Sequence, residues 1–349
     1  MSTHDFQRRQ LIRSATGLAL APTLGLSTAY AQSDEKKVVV GTWGGDYQKL
    51  LQRIVNPQAK GLEVIYDTGN AVARMTKVRA EAKSRRGSMD VTLLADLDMY
   101  ELSVAGALEP IGNQQVPRKA QVFDTLLTPY SIPHIFSAMV IVYDTTKIKT
   151  PPTSFNQALD PSLKGRVGFS DIIFNFNVLF AGLANGGNTS SFEAGMKFLM
   201  KLKGNQPKVF PSNEAVAAAL KSGEIWMTCM WKARALQWQK AGLPLGFAIP
   251  QEGAVPVTFE AAVPRNTRNK QAAFDYLGAM LAPQGQVEFA DAMGYAPTVR
   301  DAKMSAELAA RVGFTPDELK RLRALDLKQL LAQKAQVLDF WNKEFKVGL

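Results

Sequence analysis

The sequence predicts an α/β protein of two lobes, joined by crossover strands and enclosing a cleft, and three features carry that reading. Short β-branched runs alternate with amphipathic segments, the pattern of parallel sheets covered by helices on both faces. Two sets of such units are separated by Pro129, Pro133 and the loop Thr150-Pro151-Pro152-Thr153, which read as the passage between lobes. Of 349 residues, 46% are hydrophobic and 21% charged, enough to build the core of one large domain or of two lobes.

Ahead of the first unit the chain reads as an export leader. Arg8 and Arg9 precede an apolar stretch at 15–26, and Ala29-Tyr30-Ala31 offers small residues at a cleavage site. The stretch is interrupted by Pro22 and Gly25 and is too short to span a bilayer. The arginine pair in Gln7-Arg8-Arg9-Gln10-Leu11-Ile12 points to twin-arginine export, with the Sec route as the alternative. Residues 1–31 are expected to be removed, leaving Gln32 first and placing the mature protein in the periplasm. No Cys follows the cleavage site to accept a lipid.

The first lobe opens with a buried strand at 38–40, stopped by Gly41. The loop Thr42-Trp43-Gly44-Gly45-Asp46 leads into a helix at 47–54. Strand 62–66 precedes helix 71–83, and strand 90–94 precedes a helix at 99–105. Arg74 and Arg79 on the second helix read as surface charges, with Arg74 near enough to the helix start to reach an anion. A strand at 137–143 follows the crossing prolines. Next come strand 166–169, helices 176–184 and 191–203, strand 208–210, helix 213–221, strand 225–230, helix 233–241 and strand 245–249. Strand 257–262 crosses back, and helices 270–281 and 284–292 follow. One long helix at 316–345 ends the chain, with Leu319, Leu322, Leu330, Leu331, Leu338 and Trp341 at helical spacing. Lobe 1 is then 32–133 with 258–300, and lobe 2 is 134–257 with 301–349. In open α/β sheets, ligands bind beyond the carboxyl ends of the strands.

Composition narrows the function classes. The net charge is +10, but Lys and Arg are scattered among Asp and Glu with no basic tract, which argues against nucleic acid. Cys229 is the only cysteine, so no intramolecular disulfide forms. With His4 lost in the leader, one Cys and His134 cannot make a zinc or iron–sulfur site, and adjacent tyrosines for ferric-ion capture are absent. No cofactor is expected. Cys229 as a nucleophile is the enzymatic alternative; it lies in the apolar strand Ile225-Trp226-Met227-Thr228-Cys229-Met230 with no base beside it in sequence.

Several motifs, in order, resemble one family. Val39-Val40-Gly41-Thr42-Trp43-Gly44-Gly45-Asp46-Tyr47 looks like a first strand and ligand-side loop. Val64-Ile65-Tyr66-Asp67-Thr68 and Asp90-Val91 with Gly106-Ala107-Leu108 follow as strand–helix units. Asp160-Pro161-Ser162-Leu163-Lys164-Gly165-Arg166-Val167, Gly223-Glu224-Ile225 before Trp231, and Gly294-Tyr295-Ala296-Pro297-Thr298 complete the set. Over nearly the whole mature chain they resemble the periplasmic extracellular solute-binding proteins of the spermidine/putrescine-binding type. The resemblance implies a two-lobed periplasmic-binding-protein fold that closes by a hinge around a solute. It implies a monomer that delivers the solute to the permease of an ABC importer in the inner membrane, without chemistry.

Carried over position by position, the resemblance implies cleft contacts at Trp43, Asp171, Trp231 and Tyr295. In polyamine binders, carboxylates neutralise the ammonium groups and aromatic faces hold the methylene chain. This chain departs from that pattern: the loop Glu position falls on Gly45 or Asp46, and two more carboxylate positions fall on Phe174 and Phe259. Lys232 follows Trp231, and Arg234 lies two beyond it. Fewer carboxylates and a new lysine disfavour a dication. The expected ligand is therefore a small organic anion, held by Lys232 and by backbone N–H groups at Gly44 and Gly45 where the helix begins. An amine remains the alternative, and Glu260 would favour it if that residue, not Phe259, faced the cleft. Local structural roles stand beside these: Asp171 as a helix cap, the glycines as turn formers, and Phe174 as core.

Overall fold

Beyond Lys36 the chain begins with valines that can only be satisfied by burial on both faces of a sheet, and they form the first strand. The computed structural model describes residues 37–349; the arginine pair, the apolar stretch and the cleavage site lie outside the described residues. β1 (Lys37–Thr42) pairs in parallel with β2 (Glu63–Thr68) and with β3 (Val91–Ala95). Helices connect them: α1 (Asp46–Leu50), continued as a π-helical turn at Leu51–Val55, α2 (Ala71–Glu81) and α3 (Asp96–Val104).

The crossing strand is longer than the sequence suggests. β4 (Ile132–Asp144) runs 13 residues and takes in Pro133. Its pairing register shifts between Pro133 and Ile135, so a bulge at His134 absorbs the N–H that proline lacks. β5 (Val167–Ser170) and α4 (Phe174–Ala184) follow, then α5 (Glu193–Leu202), β6 (Lys208–Phe210), α6 (Asn213–Ser222), β7 (Met227–Trp231), α7 (Lys232–Lys240) and β8 (Leu245–Ala248). β9 (Val255–Ala262) returns, antiparallel to both β3 and β4. α8 (Lys270–Met280), α9 (Pro283–Met293) and α10 (Ala306–Val312) come next.

One sheet results, in the order β2-β1-β3-β9-β4-β7-β5-β6, with β8 also on β4. The parallel triplet β2-β1-β3 forms one half and β7-β5-β6 the other, joined by β9 and β4: the expected two-lobed α/β architecture with crossover strands. The expected lobe boundaries, 133/134 and 257/258, both fall inside these two strands. A large apolar core packs under each half, and a smaller one around Val78, Met89 and Leu102 lies on the first half. The first large core contains Val40, Leu93, Tyr276 and Phe289, and the second contains Val142, Phe180, Phe198 and Trp341.

The long final helix is corrected. The chain forms α11 (Pro316–Arg321), breaks, and resumes as α12 (Leu327–Phe340) with a π-helical turn at Trp341–Phe345. At the break, backbone groups pair with a neighbouring strand instead of the helix: Ala254 N–H donates to Arg321 O and Arg323 N–H to Ala254 O. Asp326 then caps α12 by accepting from Gln329 N–H. Leu319 and Leu338 are exposed in consequence, while Leu330 and Trp341 are buried. Among the described residues no helix is long and apolar enough to cross a membrane.

Candidate functional site

Trp43 stands just beyond β1, Trp231 ends β7, Phe259 lies on β9, and Tyr295 follows α9, where Gly294 takes a left-handed turn (φ 75°). The fold brings these four together. The Phe259 ring lies edge-on to Trp43 (5.5 Å), Tyr295 (5.6 Å) and Trp231 (6.5 Å), and Trp231 packs on Phe176 at 4.7 Å. Edge-to-face geometry suits aromatic quadrupoles. Phe259 touches both cores, Trp43 and Tyr295 belong with the first, and Trp231 with the second. The cluster therefore lies on the seam between the halves, at the ends of the parallel strands. Leu97 at the start of α3 reaches across that seam into the second core.

The other predicted contacts stand elsewhere. Gly44, Gly45 and Asp46 are exposed, and Asp46 lies 3.6 Å from Lys49. Asp171 is engaged by the end of the chain: it accepts from Trp341 Nε1 (2.6 Å) and from Lys346 Nζ (3.0 Å). Phe174 tilts against Trp341 at 6.2 Å, which leaves it as wall of the second core. Lys232 is buried, and its Nζ donates to Gly313 O between the rings of Phe314 (4.7 Å) and Phe247 (5.4 Å). The ammonium expected to hold an acid already has partners, and burial lowers its pKa.

Glu260 points to the opposite sheet face from Phe259, as strand alternation requires. Buried there, it accepts from Ser131 Oγ at 2.6 Å, and burial pushes its pKa up to about 8. Asp96, buried at the start of α3, accepts from Leu97 and Thr258 N–H and is pushed up to about 7, also by burial. At neutral pH Glu260 is thus mostly protonated and Asp96 about half so, and both are hydrogen-bonded within the fold. Cys229 is buried, its thiol pKa is raised by burial, and its Sγ contacts Asn177 Oδ1 at 3.4 Å; nothing activates it as a nucleophile. Among the described residues no cluster of His, Cys, Asp and Glu could hold a metal.

Sequence reading misplaced one cation. Arg74 is not a surface charge: it is 3% exposed, and its guanidinium lies 4.6 Å from the Trp43 ring. Its position four residues before the buried Val78, on one face of α2, is the signal that could have shown this. Arg79 does lie at the surface, paired with Glu101.

The bacterial extracellular solute-binding protein family matches residues 55–316. The chain belongs to this family. Among its relatives, the spermidine/putrescine-binding periplasmic protein of Salmonella typhimurium is 26% identical over 314 residues, covering 85% of this chain and 88% of the relative. Two solved structures share the fold of this solute-binding protein. The Atu4243–GABA receptor superposes with a TM-score of 0.75 at 18% identity, covering 87% of this chain and 96% of its own. The PBP AgtB from A. tumefaciens R10, in complex with agropinic acid, gives 0.71 at 21% identity, covering 88% and 98%.

Proposed function

We propose that this solute-binding protein is the periplasmic receptor of an ABC importer and closes its two halves around a small organic anion. The observation that carries the ligand class is the state of the carboxylates around the aromatic cluster. Where the resemblance calls for carboxylates, this chain has Phe174 and Phe259, and Asp171 is already paired with Lys346 and hydrogen-bonded by Trp341. Glu260 and Asp96 are shielded by burial and held near neutrality. Of these carboxyls a diamine would meet an Asp171 already paired with Lys346, a mostly protonated Glu260 and a half-ionised Asp96, at a desolvation penalty of several kcal/mol per ion.

Closure follows from geometry. Contacts made to Trp43 and Tyr295 on one half and to Trp231 on the other favour the closed form over the open one. The hinge would lie where β4 and β9 pass between the halves, and the closed form would then dock on its permease. Two structural neighbours are named for GABA and agropinic acid, both carboxylate-bearing, and two others for spermidine/putrescine, so the fold accommodates either class. An amine is the second reading, favoured by the names of the spermidine/putrescine-binding relatives. A thermal-shift panel of organic acids, amino acids, phosphonates and polyamines decides between them. Acids should raise the melting temperature, since ligand at about a hundred times Kd stabilises the folded state by about 2.7 kcal/mol. A response to putrescine or spermidine alone would replace this reading with the amine.

A further inference from the structure

We infer that Arg74 is the residue that takes the ligand's carboxylate, as a buried guanidinium with an unpartnered Nε beneath Trp43. The inference rests on the organic-anion reading of the same site and names the group that recognises the acid.

Arg74 reaches its position because β1 has a glycine where a side chain would stand in the way. A Cβ at Gly41 would run into Met89 Sδ and come within 3.2 Å of Arg74 Cδ. The side chain therefore passes over the carboxyl-terminal part of β1. One Nη donates to Gly69 O and the other to Leu93 O at 2.8 Å, which fixes the plane of the fork. These bonds use only part of the donor set of a guanidinium, and Nε, buried, has no partner among the described residues. Thr92 Oγ1, on the residue paired with Gly41 across the sheet, is also buried without a partner.

The charge is as unmet as the donors. Among the described residues no carboxylate lies within ion-pair distance of Arg74. The two that pull on it from further away have cations of their own: Asp67 pairs with Lys77 at 2.7 Å and Asp98 with Lys334 at 2.7 Å. Burial lowers the Arg74 pKa to about 10, which still leaves it fully charged at neutral pH. A buried cation with no counter-charge is expensive to keep, and buried charges are as a rule paired. A purely structural tie between two carbonyls needs no charge and no spare N–H. A carboxylate meeting Nε and a remaining Nη–H would supply both the counter-ion and the missing acceptor, in the bidentate geometry arginine favours. Trp43, only partly buried, covers this edge and joins it to the aromatic cluster, so acid and hydrocarbon ends of one small ligand could be served together.

Three four-carbon probes separate charge from size: succinate, γ-aminobutyrate and putrescine, titrated calorimetrically into the wild-type protein, Arg74→Lys and Arg74→Gln. The wild type should bind at least one acid-bearing probe. Arg74→Gln should weaken that probe by about tenfold or more, and Arg74→Lys, which keeps charge but not the fork, should fall between. Melting of each ligand-free variant, with far-UV circular dichroism, establishes that it is folded; the lysine variant carries the test if glutamine unfolds the chain. Acid binding of equal strength in wild type and both variants overturns the inference alone and leaves the organic-anion reading standing. A wild type that binds putrescine only, or no acid at all, overturns that reading and the inference with it.

Discussion

Each half of the molecule ends a central strand in a tryptophan with a buried cation near it, and the two arrangements differ in what the cation lacks. On the second half, Lys232 beside Trp231 donates to Gly313 O and lies against the faces of Phe247 and Phe314. On the first half, Arg74 beneath Trp43 has two carbonyl partners and, among the described residues, no partner for Nε and no carboxylate within ion-pair distance. The tryptophans differ in the same sense. Trp231 is 3% exposed and packed on Phe176, whereas Trp43 is partly open and covers its cation. Proximity of a positive charge to an aromatic ring says little by itself. A buried donor atom with no partner, Arg74 Nε, marks the half that is prepared for a guest.

Four variants break or sharpen this contrast. The largest effect should come from Trp231→Ala, which opens a cavity in the second core and should destabilise by about 3–5 kcal/mol. Trp43→Ala should cost much less stability and lower ligand affinity instead; comparable losses of stability for both, by urea denaturation, would erase the distinction. Glu260→Gln should act next, and with a pH signature. Because burial raises the folded-state pKa from 4.5 to about 8, the stability associated with the protonated acid is present below pH 4.5 and lost as pH rises towards 8. The glutamine variant can still accept from Ser131, so it should gain on the order of 4 kcal/mol over wild type at pH 8 and little at pH 4. Melting curves that run parallel at both pH values would refute this. The smallest effect belongs to Lys232→Met, which removes an already satisfied ammonium. It should shift stability by about 1 kcal/mol or less and leave acid affinity within about twofold. A larger loss of affinity would return the anion to the second half.

Much of the architecture was legible because period and burial agree. The valine run of β1, the apolar stretch of β7 and the glycine-bounded strands announce themselves locally, and the helices α2, α4, α6 and α8 stand within a few residues of expectation. The break between α11 and α12 was hidden, since it depends on Ala254, distant in sequence, offering backbone partners to Arg321 and Arg323. Four site residues, Trp43, Trp231, Phe259 and Tyr295, do converge. Asp171 and Lys232 were misleading for one shared reason: the groups that occupy them come from residues 313–346, whose approach no local pattern records. Arg74 escaped because a charged residue on a helix reads as solvated, and only the bare Gly41 beside it admits it to the interior.

The strand β4 has a consequence of its own. Its first residues, Ile132 and Ile135, are packed in one core, and those from Ala138 to Val142 in the other, along a single unbroken backbone. Neither core can melt without exposing the far end of the same strand, so unfolding of the two halves should be one cooperative event rather than two. The swing that captures a solute must accordingly be taken up by twisting intact hydrogen-bonded ribbons, and amide protons along Val140–Val142 should rank among the slowest in the molecule to exchange, whether or not a guest is bound.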